Sequence, residues 1–146
     1  MSELEIVAAT GADLDDIVRI ETESFPIAWH RHFFESELHA PHRHQLVAKR
    51  DGVVIGYVFA MWILDEMHIN KIAVDARERR NGVAEALMAR CFDFARANGI
   101  ASISLEVRRS NHGAQEFYRA LDFRSTYVRP RYYPDGESAV IMVREV

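Results

Sequence analysis

Apolar residues along the chain follow two kinds of spacing, which predict where strands and helices lie. Alternation with polar residues, or a short apolar run, predicts strands over Leu4–Ala8, Gln45–Lys49, Val53–Trp62, Met67–Val74, Ser102–Val107, Phe123–Arg131 and Ala139–Val143. Apolar residues three or four positions apart predict helices over Leu14–Ser24, Trp29–Leu38, Asn81–Asn98 and Asn111–Leu121. Asp51-Gly52, between two apolar runs, predicts a hairpin. The mixed order of elements predicts one α/β domain over residues 1–146, with a mixed sheet and flanking helices.

The stretch 66–96 has the pattern of a strand, a short basic turn and a helix, which together predict an anion site. The first N–H groups of a helix lack intrahelical partners, and the helix dipole makes that end positive. Gly82 is predicted in the first turn, where the missing side chain lets a ligand approach the backbone. Arg77, Arg79 and Arg80 add forked donors that suit a phosphate. The sequence of a P-loop is absent, so that kind of site is not indicated.

The alternation of apolar residues slips by one position within the strand that precedes this turn. Met67 and Ile69 are apolar at odd positions, whereas Ile72 and Val74 are apolar at even ones. A slip of this kind predicts a β-bulge, which would separate the strand from its neighbour and free backbone groups near Ile72–Val74. The alternative is that the polar Lys71 merely ends a strand edge, and the sequence leaves both interpretations open.

Four blocks of residues, in order along the chain, resemble one enzyme family. Arg79-Arg80-Asn81-Gly82-Val83-Ala84 resembles the Arg/Gln-x-x-Gly-x-Gly/Ala signature of the GNAT acetyltransferases, and Ile72-Ala73-Val74-Asp75 resembles the strand with which that family holds the pantetheine arm of acetyl-CoA. Later blocks resemble the RimI branch of the family: Leu105–Asn111, Phe117-Tyr118, Leu121–Phe123 and Tyr132–Pro134. The similarity extends over nearly the whole chain.

This resemblance implies an acetyl-CoA-dependent N-acetyltransferase that acts on the N-terminal α-amine of a protein, in that branch the alanine of a small-subunit ribosomal protein. The cofactor contacts that it implies are Ile72, Ala73, Val74, Arg79, Arg80, Asn81, Gly82, Val83, Ala84 and Asn111. Two alternatives remain open. One is an acetyltransferase for a small amine or a protein lysine, and the other is an acyl-CoA-binding module without catalytic activity.

Acetyl transfer to an amine requires a base, and a mild one suffices for an α-amine with a pKa of about 7.7–8.0. Glu106 faces away from the apolar side of its strand, and the resemblance implies that it is the general base. Glu66 and His68 are the next candidates. Tyr118 matches the general acid of the family, although its place in the apolar stripe of a helix is also typical of a core residue.

Two further expectations concern the reaction path. The single cysteine, Cys91, lies on the apolar face of its helix with Val83 and Leu87, which predicts an inert core thiol and direct transfer without an acetyl-enzyme. A backbone N–H near Val74 is expected to stabilise the oxyanion. Asn111 is expected to cap a helix as well as to contact the cofactor.

The resemblance implies that the substrate peptide lies between the first helices and a tyrosine pair. The residues implied are Phe25, Trp29, Tyr132 and Tyr133. Two features depart from the RimI pattern: the segment after Pro134 is shorter than usual, and Ala84 replaces a glycine that is common there. The shorter segment bears on the substrate rather than on the chemistry.

Composition limits the remaining possibilities. With 146 residues, 49% of them hydrophobic, the chain can bury a full core, and a formal net charge of -4 argues against bulk attraction to nucleic acid. One cysteine and the lack of a long apolar stretch favour a cytoplasmic protein with no membrane partner. The first ten residues have early acids and no basic segment, so no signal peptide is expected. We expect a monomer or a weak dimer. Most of the histidines lie between His30 and His44, but their spacing predicts a solvated surface rather than a metal site.

Overall fold

The computed structural model describes residues 3–146, and over that range the chain forms seven strands and four α-helices. The strands are β1 (Glu5–Ala8), β2 (Arg43–Arg50), β3 (Val53–Ile63), β4 (Glu66–Val74), β5 (Ser102–Arg108), β6 (Arg124–Arg129) and β7 (Ala139–Glu145). The helices are α1 (Leu14–Ser24), α2 (Arg31–His39), α3 (Val83–Ala97) and α4 (His112–Ala120). Short 3₁₀ helices, Gly11–Asp13 and Ala76–Glu78, precede α1 and α3.

All seven strands belong to one sheet in the order β1-β2-β3-β4-β5-β7-β6. Neighbours are antiparallel except β4 and β5, which run parallel because α3 carries the chain across between them. Helices α3 and α4 pack on one face, and α1 and α2 on the other, so the sheet separates two apolar clusters. The predicted mixed sheet with flanking helices is therefore confirmed.

The parallel pair in the middle of the sheet separates part-way along its length. β4 pairs with β3 from Glu66 to Val74, but it pairs with β5 only from Glu66 to Ile69. Beyond Ile69 and Leu105 no pairing between the two strands is present in the described chain. The last part of β4 therefore has one edge that no strand covers, facing a gap beside β5.

A β-bulge lies at this point, which decides between the two interpretations of the slip in the apolar pattern. In the pairing of β3 with β4, Phe59 lies opposite Lys71 and Ala60 opposite Ile69, so Asn70 is the extra residue. Ile69 and Ile72 consequently pack on the same side, in the cluster under α3, although their positions differ by three, which in a regular strand would place them on opposite faces. Lys71 points to the opposite face, toward α1.

Several element boundaries differ from the predicted ones. Trp29 precedes α2, because residues 25–30 have no regular secondary structure and the helix begins only after its N-cap residue, His30. Gly82 is the N-cap of α3 rather than part of its first turn. The strand expected over Phe123–Arg131 is confined to Arg124–Arg129, and a positive φ of 50° at Arg131 ends its extended backbone. The predicted hairpin is confirmed, with positive φ at both Asp51 and Gly52.

Candidate active site

The turn from β4 into α3 is organised by Asp75, whose carboxylate is 5% exposed. It accepts from the backbone N–H of Arg77 at 3.0 Å and from the guanidinium groups of Arg77 and Arg19 at 2.9 Å and 3.1 Å. The hydrogen bond from Arg77 is the main reason that the pKa of Asp75 lies well below its usual value. Sequence reasoning did not assign this role, although an Asp directly after a strand is a known turn cap.

The next residues present backbone and charge to solvent. Arg79, Arg80, Asn81 and Gly82 are exposed, and Gly82 has a φ of 78°, in the left-handed region that glycine adopts without strain. Val83 is 1% exposed and its side chain packs in the core, so only its backbone can serve a ligand. The predicted cofactor turn is thus an open helix N-terminus with arginines beside it.

The strand that leads into this turn supplies the backbone edge. Ile72 and Val74 pack against the α3 cluster and Ala73 against the α1 cluster, so their side chains are engaged on either face. Their edge toward β5 lies beyond the last paired residue, Ile69. Backbone groups at these predicted cofactor positions therefore face the gap, where an extended ligand could bind as a strand would.

Glu106 follows the last β5 residue paired with β4 and stands at the opening of the gap. Its Oε2 lies 2.8 Å from His68 Nε2, and its Oε1 accepts from the Tyr132 hydroxyl at 3.3 Å. Because an ionised carboxylate only accepts, Nε2 is the protonated nitrogen of His68, and Nδ1 accepts from Ser104 Oγ at 2.8 Å in the neutral ring. Glu106 and His68, the first candidate for the base and one of its two alternatives, therefore form one hydrogen-bonded pair.

The charge state of Glu106 follows from these partners. Burial alone would raise the pKa of Glu106, but the hydrogen bond from His68 and its charge when protonated lower it. The hydrogen bond from Tyr132 and the charge of Arg129 add to this, so the net pKa lies below that of a free glutamate. Glu106 is ionised at neutral pH. Glu66, the other alternative, is exposed at the far end of β4.

The tyrosine pair lies beside Glu106 and is held by Arg108. The rings of Tyr132 and Tyr133 meet edge to face at 5.1 Å, and the Arg108 guanidinium lies 4.2 Å from the centre of the Tyr133 ring. The same guanidinium donates to Asp135 and Glu137, each at 2.8 Å. The short segment after Pro134 is therefore tied to the end of β5.

The other two predicted substrate residues, Phe25 and Trp29, lie on the face of the sheet that α1 and α2 cover. Phe25 and Trp29 both pack on the Lys71 ammonium, 3.7 Å and 5.2 Å from it to their ring centres. Lys71 in turn lies 2.9 Å from the buried carboxylate of Glu21. No sequence signal linked Phe25 and Trp29 with Lys71 and Glu21. Glu21 belongs to α1, Lys71 belongs to β4, and the two aromatic residues lie between α1 and α2.

Residues 14–123 match the model of the acetyltransferase (GNAT) family. The chain belongs to this family. A putative ribosomal protein bS18-alanine N-acetyltransferase of Bacillus subtilis is 34% identical over 132 residues, 89% of this chain and 87% of that protein. The sequence-based assignment to the GNAT family and its RimI branch is confirmed, and with it the activity class, N-acetyl transfer.

Solved structures of the family agree with this fold over almost the whole chain. The ribosomal-protein-S18-alanine N-acetyltransferase from Escherichia coli has a TM-score of 0.91 at 29% identity, covering 99% of this chain and 94% of that one. Ard1 from Thermoplasma volcanium has a TM-score of 0.94 at 29% identity, covering 98% and 97%. The mixed sheet and flanking helices described above are therefore the GNAT fold.

The remaining GNAT residues predicted for chemistry lie near α4. The Asn111 side chain accepts from the Ala114 N–H at 3.1 Å, so it caps α4 as expected. Tyr118 is 7% exposed and packs on Phe117 and Phe123, and burial raises the pKa of its phenol. Among the described residues no hydrogen bond joins Tyr118 to Glu106, so the predicted acid and base belong to separate clusters.

Cys91 is fully buried, as the sequence predicts, and burial raises the pKa of its thiol to about 12. A thiol in that state is a poor nucleophile.

Four of the five histidines from His30 to His44 have an aromatic ring beside them, and His30 and His32 lie against Phe33. His42 stacks on Trp62, and His44 stacks on Phe94 with ring centres 4.0 Å apart. Within residues 3–146 no group of three or more metal-ligating side chains is close enough to hold an ion. In the same range no helix is long and apolar enough to cross a membrane.

Proposed function

We propose that this acetyltransferase moves an acetyl group from acetyl-CoA directly to the N-terminal α-amine of a protein, the alanine of a small-subunit ribosomal protein. The names of its relatives support this substrate. One observation carries the proposal: Glu106, paired with His68, stands at the mouth of the gap between β4 and β5. A base lies there beside an open backbone edge and an anion-binding turn.

Acetyl-CoA would supply the activated acyl group as a thioester. Its pyrophosphate would bind the backbone N–H groups at the start of α3, with Arg79, Arg80 and Asn81 adding donors. Its pantetheine arm would bind the free edge of β4 at Ile72–Val74. Asn111 and Ala84 complete the contacts that we assign to it.

In the reaction, the amine nitrogen attacks the thioester carbonyl carbon and a C–N bond forms. The amine gives up its proton to Glu106, directly or through a water, and His68 holds that carboxylate in place. A backbone N–H near Val74 stabilises the oxygen that becomes negative. The C–S bond then breaks, and the CoA thiolate takes a proton from Tyr118.

Direct attack is favoured because Cys91 is fully buried. A covalent acetyl-enzyme would need a thiolate that substrate can reach, and the raised pKa of Cys91 disfavours its formation.

The acceptor peptide would enter between Tyr132-Tyr133 and the Phe25–Trp29 segment. Paired aromatic side chains suit an extended backbone better than they suit a small polyamine, which calls for a deep acidic pocket. A cytoplasmic location, a monomeric or weakly dimeric state and no direct binding to nucleic acid remain predictions.

A panel of acceptors tests the proposal, with CoA release and mass spectrometry as the readouts. The panel contains short peptides that differ only in the first residue, the same peptides with a blocked N-terminus and an internal lysine, and small diamines. We expect the alanine-starting peptide to be acetylated at its α-amine and the blocked peptides to be left largely unmodified. Preferential acetylation of lysine or diamines would overturn the proposal, and no turnover with any acceptor would indicate a binding module.

A further inference from the structure

The segment between α1 and α2, residues 25–30, has no regular secondary structure. The Glu21 carboxylate holds this segment against the core, because Glu21 Oε2 accepts a hydrogen bond from the backbone N–H of Trp29 at 2.9 Å. Glu21 is fully buried and also accepts from the Tyr57 hydroxyl at 2.5 Å. The wall of the proposed acceptor site is therefore attached to the core through a buried carboxylate.

Lys71 completes this attachment. Its ammonium lies 2.9 Å from Glu21 Oε2, and its side chain is only 13% exposed. The same ammonium lies 3.7 Å from the centre of the Phe25 ring and 5.2 Å from that of Trp29. A cation with little contact to water interacts more strongly with aromatic faces than an exposed one. One charge thus orients both aromatic side chains.

The bulge is what brings Lys71 to this face. Because Asn70 is the extra residue, Lys71 points toward α1 rather than into the cluster under α3. The next residues, Ile72–Val74, form the backbone edge assigned to the cofactor. The strand β4 therefore carries the backbone edge assigned to acetyl-CoA and, immediately before it, the lysine that contacts residues 25–30 of the proposed acceptor site.

We propose that Lys71 is a positioning residue for the acceptor peptide. Its ion pair with Glu21 and its contacts with Phe25 and Trp29 hold residues 25–30 in the conformation that receives the peptide. Lys71 takes no part in proton transfer. This inference rests on the proposed function, because it presumes that these residues line the acceptor site.

The chain offers a matched control, since Lys49 and Lys71 are its only lysines. Lys49 also bridges to a buried carboxylate, Asp13, at 3.2 Å, but on β2 and away from residues 25–30. Lys71→Met and Lys49→Met therefore make the same chemical change in similar ion pairs. Lys71→Arg keeps the charge and can stack on aromatic rings.

Steady-state kinetics on the best α-amine peptide separate positioning from general stability. For Lys71→Met we expect the peptide KM to rise about tenfold, with the acetyl-CoA KM within about twofold of wild type. Lys71→Arg should recover most of the peptide KM, and Lys49→Met should change neither KM. A wild-type peptide KM for Lys71→Met, or an equal rise in both KM values, would overturn the proposal.

A second readout does not need activity. The sequence has two tryptophans, so Trp62→Phe leaves Trp29 as the only reporter. In that background, Lys71→Met should change the Trp29 emission and increase its quenching by acrylamide, and Lys49→Met should not. Unchanged emission in Lys71→Met would refute the role of Lys71. If wild type acetylates no α-amine, the proposed function fails and the acceptor role of Lys71 fails with it, whereas the Trp29 emission still shows whether Lys71 holds residues 25–30 in place.

Discussion

Replacing Gly82 by aspartate tests the anion-binding turn. Gly82 is exposed and has a φ of 78°, and a Cβ built at this position would meet nothing within 4 Å. The substitution therefore causes no clash, but it places a carboxylate where the pyrophosphate of acetyl-CoA is proposed to bind. Gly82→Asn is the matched control, because Asn has the same shape, tolerates the left-handed region equally and carries no charge.

The size of the effect follows from charge and exposure. At about 5 Å in water, two unit charges repel each other by about 0.8 kcal/mol. The two charges of a pyrophosphate then cost Gly82→Asp about 1.5–2 kcal/mol, or a tenfold to thirtyfold weaker affinity by the ~1.4 kcal/mol per decade rule. Backbone strain of about 1 kcal/mol is present in the free and the bound protein alike, so it lowers the Tm of both variants but cancels from the Kd.

Isothermal titration with acetyl-CoA at low and high salt measures the affinity of each variant and its dependence on salt. We expect Gly82→Asn to bind nearly as wild type does and Gly82→Asp to bind more weakly. The difference should shrink in about 1 M salt, where the screening length falls to about 3 Å. Equal affinities for the two variants at low salt would remove the pyrophosphate from this turn.

Three further predictions concern the base, the thiol and a half-buried histidine. Glu106→Gln should depress the rate most at low pH, where few α-amines are neutral, and the deficit should shrink as pH rises; a pH–rate profile parallel to wild type would exclude Glu106 as the base. Cys91→Ala should keep most of the activity and the intersecting steady-state lines of direct transfer, whereas ping-pong kinetics in wild type would contradict the mechanism. Burial lowers the pKa of His44, whose Nε2 is buried and has no hydrogen-bond partner among residues 3–146. The unfolded chain therefore binds that proton first, and stability should fall as pH drops below about 6.5; thermal melts of His44→Phe should show a weaker fall than wild type.

Local patterns were sufficient to predict most of the elements, and they gave the bulge as one of two interpretations of the apolar slip. The slip between Ile69 and Ile72 is a property of neighbouring residues, so it could be detected without knowing which strand pairs with which. The Asp51-Gly52 hairpin is local in the same sense. The N-terminal boundary of α2 was misplaced because Trp29 is apolar and fits the helical spacing, although it contacts Phe34 from outside the helix.

The contacts within the candidate site could not be predicted in the same way. Glu106 and His68 meet because β4 and β5 run parallel with Ile69 opposite Leu105, a register that the sequence does not state. Lys71 and Glu21 are likewise joined only through tertiary packing. The resemblance to GNAT enzymes made Glu106 the first candidate for the base, but its contact with His68 could be found only from the register of the strands.

The scarcity of lysine has a consequence for an enzyme that handles an activated thioester. Its own amines are potential acceptors, and self-modification would compete with the substrate. Both side chains, Lys49 and Lys71, are engaged by carboxylates and are only 25% and 13% exposed. The other cationic side chains that hold the turns and the ion pairs are arginines, whose guanidinium stays protonated and so is a poor nucleophile toward an acyl group. The protein thus builds its basic surfaces from a residue that its own co-substrate leaves unmodified.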